Sequence, residues 1–287
     1  MAQWELRPLS PGEILDRTFS LYRQNFVLFV GIMAIPHVLT LGINLAQALL
    51  VKPAAAAHAA IPQTTTMNGG ILGLGIFAGL ITLVVTVVAY LFSQGATIYA
   101  VSDIYLGRTT TIGASLGRMW GQLLNLFGVS LLNGLAIVLA TLFLIIPGIY
   151  LACRLIICVP AALLEDLGAR ASLERSFDLT KGYAARAFGI YVIYIAMLYA
   201  ILLLFSVPAL FLIATAAKDP GILRISLVLE QVGTFAAQTL VGPFFLIATS
   251  VFYFDLRVRK EAFDLQMMMN PLGIASTRTS SVPSLLS

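Results

Sequence analysis

Charge is what this chain has least of. Its 287 residues include 17 Lys and Arg and 13 Asp and Glu, 10% of the sequence against 59% hydrophobic residues. Soluble domains run near 25% charged and 45 to 50% apolar, so this composition, with a mean hydropathy of +0.95, excludes an ordinary soluble domain. Whole stretches have no formal charge: Pro53 to Ser102, Met119 to Cys153, Ala187 to Ala217 and Gln231 to Phe254. Each is long enough for at least one membrane span of about 20 residues. Histidine and cysteine are scarce as well, with His37 and His58, Cys153 and Cys158. Metal-assisted hydrolysis needs a cluster of imidazoles and carboxylates. One His in a span and one in a loop do not supply it, and no HExxH, paired-cysteine metal motif or P-loop is present. No cofactor is implied. The two cysteines fall in one predicted span, too far apart along a helix to bond each other. Nor does the N-terminus read as a secretory signal, because 25 mixed residues precede an apolar run longer than a signal h-region.

The apolar runs predict spans near Phe26 to Val51, Ile71 to Phe92, Leu123 to Ile146, Gly148 to Leu164, Phe188 to Ala214 and Thr234 to Phe254. A single helix over Leu123 to Leu164 would be roughly 60 Å long, about twice the hydrocarbon thickness. Two crossings joined by a tight turn at Ile146-Pro147-Gly148 resolve this. The fold class is therefore all-α, a polytopic bundle of about six transmembrane helices arranged as three hairpins. It forms one membrane domain over 1–270, with a loose outer loop from Lys52 to Gly70 and a Ser/Thr-rich tail, 271–287, expected to be disordered. Gly73-Leu74-Gly75-Ile76-Phe77-Ala78-Gly79 imitates a phosphate loop, yet in an apolar span it reads as a place for close helix packing.

Three short strings share a pattern: Leu15-Asp16-Arg17-Thr18-Phe19, Leu116-Gly117-Arg118-Met119-Trp120 and Leu173-Glu174-Arg175-Ser176-Phe177. Each precedes a long apolar run, so the chain reads as three repeats, roughly 9–108, 109–170 and 171–260, each opened by an amphipathic helix. Gly31 and Gly189 lie fourteen residues after Arg17 and Arg175, and Gly128 ten after Arg118, a difference of about one helical turn. The hairpin ends echo each other too, at Asp103 to Arg108, Glu165 to Arg170 and Phe254 to Arg259. Ser10-Pro11-Gly12-Glu13 is a capping box with Pro at the first helical position, and Thr111 can cap the second copy. Leu15, Phe19, Tyr22 and Phe26 then share a face, as do Leu116, Trp120, Leu123 and Phe127. Such stripes suit helices lying on the inner interface or, equally, the first turns of tilted spans.

Lys and Arg set the orientation. Thirteen lie in the N-terminal segment, the second and fourth connections and the tail, against Lys52, Lys218 and Arg224 on the other side and Arg154 within a span. Positive-inside places both termini and the three amphipathic segments in the cytoplasm of a multi-pass plasma-membrane protein. The basic face suits anionic inner-leaflet lipid rather than nucleic acid, and Arg17, Arg23, Arg118, Arg175, Lys181, Arg257, Arg259 and Lys260 are the candidate headgroup contacts. Inside the membrane Arg154 needs a counter-ion, water or the interface. Glu230, at a matching depth if the last helix enters near Ile222, is its candidate partner. His37, after Pro36, reads as a cap for carbonyls at a kink.

The opening Leu9-Ser10-Pro11-Gly12-Glu13-Ile14-Leu15-Asp16-Arg17-Thr18-Phe19, the middle Ile146-Pro147-Gly148-Ile149-Tyr150-Leu151-Ala152-Cys153-Arg154 with Val159-Pro160-Ala161 and Glu165, and the closing Phe252-Tyr253-Phe254-Asp255-Leu256-Arg257-Val258-Arg259-Lys260-Glu261-Ala262-Phe263-Asp264-Leu265 resemble the glycerophosphoryl diester phosphodiesterase membrane domain family. The resemblance runs from about Leu9 to Leu265. It implies a membrane module that some relatives join to a soluble phosphodiesterase domain, and the catalytic residues of such a domain are missing from this sequence. Two function classes follow. One is a non-catalytic, lipid-associated membrane scaffold, acting with a partner protein or as a homo-oligomer. The other is a small transporter or channel with Arg154, Glu230, Gln231 and Gln238 along a polar path.

Overall fold

The computed structural model describes residues 8–59, 69–216 and 220–261. Within them the chain is helical throughout: α1 (Pro11–Gln24), α2 (Phe26–Ala59), α3 (Gly69–Tyr105), α4 (Ile112–Met119), α5 (Leu123–Phe143), α6 (Ile145–Leu155), α7 (Cys158–Leu164), α8 (Ala169–Thr180), α9 (Ala184–Ala216) and α10 (Pro220–Glu261). Six stretches, with α6 and α7 counted together, are long and apolar enough to cross a membrane. The protein is an all-α polytopic membrane bundle. The expected tail, the sequence from Ala60 to Asn68, and Arg7, Lys218 and Arg278 lie outside the described residues.

The short helices start where the sequence offers caps. Ser10 Oγ accepts from the Glu13 amide at 3.3 Å while Glu13 Oε2 accepts from the Ser10 amide at 2.6 Å. Thr111 Oγ1 accepts from the Ala114 amide at 3.3 Å. Each pairing satisfies donors that a helix start leaves free. Element starts also fall at matching offsets. α1, α4 and α8 begin six residues before Arg17, Arg118 and Arg175, and α2, α5 and α9 begin five residues before Gly31, Gly128 and Gly189.

Packing follows a cyclic order. α4 packs on α3 and α8 on α7, each short helix resting on the inward helix just before it, while α1 packs on the last helix, α10. Against their neighbours the short helices bury small or polar groups: Thr18 in α1, Ser115 in α4, and Ser172, Ser176 and Thr180 in α8. Ile14, Leu21, Met119 and Leu179 are buried beside them, while Phe19 in α1 is half exposed and Trp120, just after α4, is 78% exposed; the Phe19 ring still lies 4.8 Å from that of Phe244 and the Trp120 ring 5.6 Å from that of Phe92.

The hairpins differ in reach. α2 runs 28 residues beyond Gly31 and α9 runs 27 beyond Gly189, but α5 runs only 15 beyond Gly128. At 1.5 Å per residue the middle hairpin stops roughly 20 Å short of the others. Its tip, Leu142 to Ile146, contains no polar side chain and Phe143 is 90% exposed, an end suited to hydrocarbon rather than to water. The core sits toward the charged end, where Ala96 to Val101, Leu155 to Leu163 and Ile247 to Leu256 are the buried stretches.

Four expectations need correction. The chain reverses at Leu144, in extended backbone (φ −162°, ψ 141°), rather than at 146–148. Pro147 instead occupies the first turn of α6, where its missing N–H has no partner to lose, and Gly148 faces Thr141 so closely that a Cβ would stand 2.7 Å from the Thr141 Cα. The fourth crossing is broken at Ile156 and Ile157, ahead of Pro160, which has no N–H to give the Ile156 carbonyl. α2 stays helical to Ala59, so the first part of the expected outer loop is helix. Gly73 and Gly79 face open space; close approaches occur instead at Gly31 against Ile112, Gly95 against Met119 and Gly233 against Phe205.

Candidate functional site

A half-open cavity of about 670 Å³ lies among the helices, and all six crossings contribute to its wall. That volume falls in the range of small-molecule pockets, about 300 to 1,000 Å³. His37 comes from α2, Gln94 from α3, Asn133 from α5 and Tyr194 from α9. His37, Asn133 and Tyr194 lie ten or eleven residues from the starts of their helices, so about 15 Å in at the helical rise. They form a polar level in a wall that also carries Thr86, Thr234, Gln238 and Thr249 among apolar side chains such as Val87, Ile98, Leu198, Leu202 and Phe245. Among the described residues, no carboxylate, ammonium or guanidinium lines the cavity.

The polar groups at this level are incompletely satisfied. Gln94 is 8% exposed; its amide nitrogen donates to the Tyr90 hydroxyl at 3.3 Å, while among the described residues Oε1 has no hydrogen-bond partner. Asn133 Oδ1 is buried in the same condition. His37 Nδ1 lies 2.8 Å from the Met33 carbonyl and 3.2 Å from Ser93 Oγ. A nitrogen facing a carbonyl carries the proton, which in the neutral ring leaves Nε2 as an acceptor. Both amide oxygens, of Gln94 and Asn133, are closed off from the cavity space rather than turned into it. Sequence reasoning found His37 and Gln238, which also lines the wall, but not Gln94 or Asn133. The signal available was Asn133 five residues after Gly128, His37 six after Gly31 and Tyr194 five after Gly189.

Arg154 and Glu230 are not brought together. Arg154 Nη2 donates to the Phe177 carbonyl at 2.7 Å, in the last turn of α8, and the guanidinium lies 5.2 Å from the Phe177 ring centroid. Ser176 and Thr180 hydroxyls donate to the Arg154 carbonyl at 2.8 and 2.9 Å, beside the break in the fourth crossing. A cation at a helix C-terminus meets the negative end of the dipole, so α8 supplies what Glu230 was expected to supply. Glu230 is exposed, and among the described residues no ion pair joins it to Arg154. Of the polar path expected from Arg154, Glu230, Gln231 and Gln238, only Gln238 reaches the cavity.

Many of the candidate headgroup cations are engaged within the protein. Arg118 pairs with Asp103 at 3.0 Å. Arg175 pairs with Glu165 at 2.8 Å and with Glu261, and Arg257 pairs with Glu261 at 2.9 Å. Burial pulls the Arg175 guanidinium down, but hydrogen bonds and charge from Glu165 and Glu261 outweigh this and raise it. Arg17 donates to the Tyr105 hydroxyl at 2.6 Å, and Lys260 donates to the Asp178 carbonyl. Arg259 lies 3.0 Å from Asp255, a fully buried carboxylate that also accepts from the Leu9 amide at 2.6 Å and faces Arg186 at 3.5 Å. Arg23 and Lys181 are exposed and are the two of the eight best placed to meet a headgroup.

Gly113-Ala114-Ser115-Leu116-Gly117 has the lettering of a serine nucleophile elbow, which requires a sharp strand-to-helix turn and a nearby base. Here it lies inside α4, with Ser115 buried and 3.1 Å from the Thr110 hydroxyl. Among the described residues no group of three or more His, Cys, Asp or Glu side chains is placed to hold a metal ion. Comparison with family models, curated proteins and solved structures finds no match.

Proposed function

We propose that the protein is a non-catalytic, lipid-associated module of the plasma membrane that takes a lipid-like molecule into the centre of its bundle. The cavity carries this reading: six crossings contribute to a ligand-sized space whose wall is mostly apolar, with amide, hydroxyl and imidazole groups set into it. The positive-inside rule orients it with both termini and α1, α4 and α8 in the cytoplasm, where Arg23 and Lys181 meet anionic inner-leaflet lipid. The matching offsets of the helix starts support three internal repeats, and the strings around Arg17, Arg154 and Asp255 support membership of the glycerophosphoryl diester phosphodiesterase membrane domain family. The paired face around Glu165, Arg175, Arg257 and Glu261 gives a partner protein or a second copy a rigid surface to dock on.

A second reading, a small transporter, draws on the same polar level, since a solute crossing the bilayer needs hydrogen-bonding groups at half depth. Purification of the full chain in native nanodiscs, with mass spectrometry of retained lipids and proteins, separates the two. A defined co-purifying lipid supports the module. Solute exchange in liposomes without any retained lipid supports the transporter.

A further inference from the structure

Two kinds of cation stand at the charged end of the bundle. Arg118, Arg170, Arg175, Arg186, Arg257 and Arg259 each reach a carboxylate. Among the described residues no ion pair joins Arg154, Lys181 or Lys260 to one, yet these three gather around one short stretch of chain, Phe177 to Tyr183. Arg154 donates to the Phe177 carbonyl at 2.7 Å and Lys260 to the Asp178 carbonyl, and the Lys260 ammonium lies 5.9 Å from the Tyr183 ring centroid. A tight turn places Lys181. Its φ of −59° and ψ of 118°, followed by Gly182 at φ +87° and closed by the Tyr183 amide donating to the Thr180 carbonyl at 2.9 Å, are those of a type II turn. Thr180 also donates to the Arg154 carbonyl at 2.9 Å, so the lysine and the arginine are held on one frame. Lys260 feels the charge of both.

Three like charges gathered in this way repel one another, and the exposed Asp178 carboxylate beside Lys260 offsets one of them. The backbone carbonyls do not exhaust the donors. An ammonium carries three; Lys260 commits one of its own to Asp178, and both lysines are exposed. Arg154 Nε is closed off without a partner, so Arg154 contributes chiefly its charge.

We propose that Lys181 and Lys260, with the fixed charge of Arg154 behind them, form a binding site for a phosphomonoester. Three cations less one carboxylate leave a net charge that matches the roughly −1.5 to −2 of such a group at pH 7. A phosphodiester, with a single charge, would leave the cluster unneutralised. The inference rests on the cytoplasmic placement of α8 in the reading above and deepens it by naming the headgroup chemistry. Phosphatidic acid in the inner leaflet and soluble phosphate compounds both carry this group.

The test reads the thermal midpoint of the full chain in phosphatidylcholine nanodiscs doped with phosphatidic acid or, at the same share, with phosphatidylglycerol, since a ligand that binds the folded state raises the midpoint. Phosphatidic acid should raise it by about 2 to 4 °C more than phosphatidylglycerol. The Lys181→Gln/Lys260→Gln double variant alters two exposed side chains; it should keep its midpoint in pure phosphatidylcholine and lose the difference. Lys181→Arg/Lys260→Arg should retain the difference, and so should Arg23→Gln. Inorganic phosphate added to pure phosphatidylcholine nanodiscs separates the two sources. A rise beyond that given by potassium chloride of equal ionic strength, absent from the glutamine variant and with no difference between the lipids, assigns the site to a soluble phosphomonoester. Equal midpoints with both lipids and no response to phosphate overturn the site, as does a difference that survives the double glutamine variant. Lipid retained by the same protein in phosphatidylcholine alone would show that the lipid-associated reading outlives that failure.

Discussion

Arg154 and Phe177 hold the broken fourth crossing to α8: the guanidinium donates to the Phe177 carbonyl at 2.7 Å, and hydroxyls flanking Phe177 donate back to the Arg154 carbonyl. Removing the cation should therefore cost the value of a charged hydrogen bond, about 1.5 to 3 kcal/mol. Arg154→Leu is predicted to lower detergent stability by that amount, and Glu230→Leu to change it by less than about 0.5 kcal/mol. A double variant as stable as Arg154→Leu alone fits this geometry. Rescue by Glu230→Leu would show that the two side chains do pair.

Asp255 is the most committed carboxylate in the fold, with no side-chain exposure and partners in Leu9, Arg186 and Arg259. Breaking a buried pair on one side costs about 3 to 5 kcal/mol. Asp255→Leu should fall in that range in a thermal or denaturant melt, whereas Glu174→Leu, which removes a pair exposed on both sides, should stay below about 1 kcal/mol.

Glycine substitutions separate tight from open positions. Gly148→Val forces a side chain onto Thr141 and should cost about 1 to 3 kcal/mol through overpacking. Gly79→Ala meets nothing within 4 Å and should be neutral or stabilising by up to about 1 kcal/mol from helix propensity.

These contrasts show what could be read from residue order. The spans were legible because charge is absent from them and a helix in lipid must satisfy its backbone internally. The capping box at Ser10 was legible because its chemistry is local. Leu144 was not, since nothing in the apolar letters of 142–146 distinguishes the reversal from the neighbouring Pro147-Gly148. Arg154 was assigned to Glu230 because both are rare intramembrane charges, while its actual partner is a backbone carbonyl, which has no letter. Gln94 and Asn133 were passed over individually; their meaning comes from sharing a level, which only the three-dimensional arrangement brings out.

Orientation has a direct test. Thr215→Cys, at the far end of α9, should react with an impermeant thiol reagent in intact cells, and Arg108→Cys, beside the end of α3, should not. The native Cys153 and Cys158 are buried and give little background. The reverse pattern would invert the topology.

The tip of the middle hairpin should report a hydrocarbon setting. A Trp at Phe143 is predicted to be quenched by lipid-borne labels and shielded from iodide; ready iodide quenching would mean that the tip stands in water.

Native mass spectrometry of the chain released from nanodiscs tests most directly whether the bundle holds a molecule at its centre. The protein should retain lipid at close to one molecule per chain, Val87→Trp should lose it by filling the cavity, and Leu204→Trp, on the outward face, should keep it. Equal retention by all three proteins would contradict a central binding site.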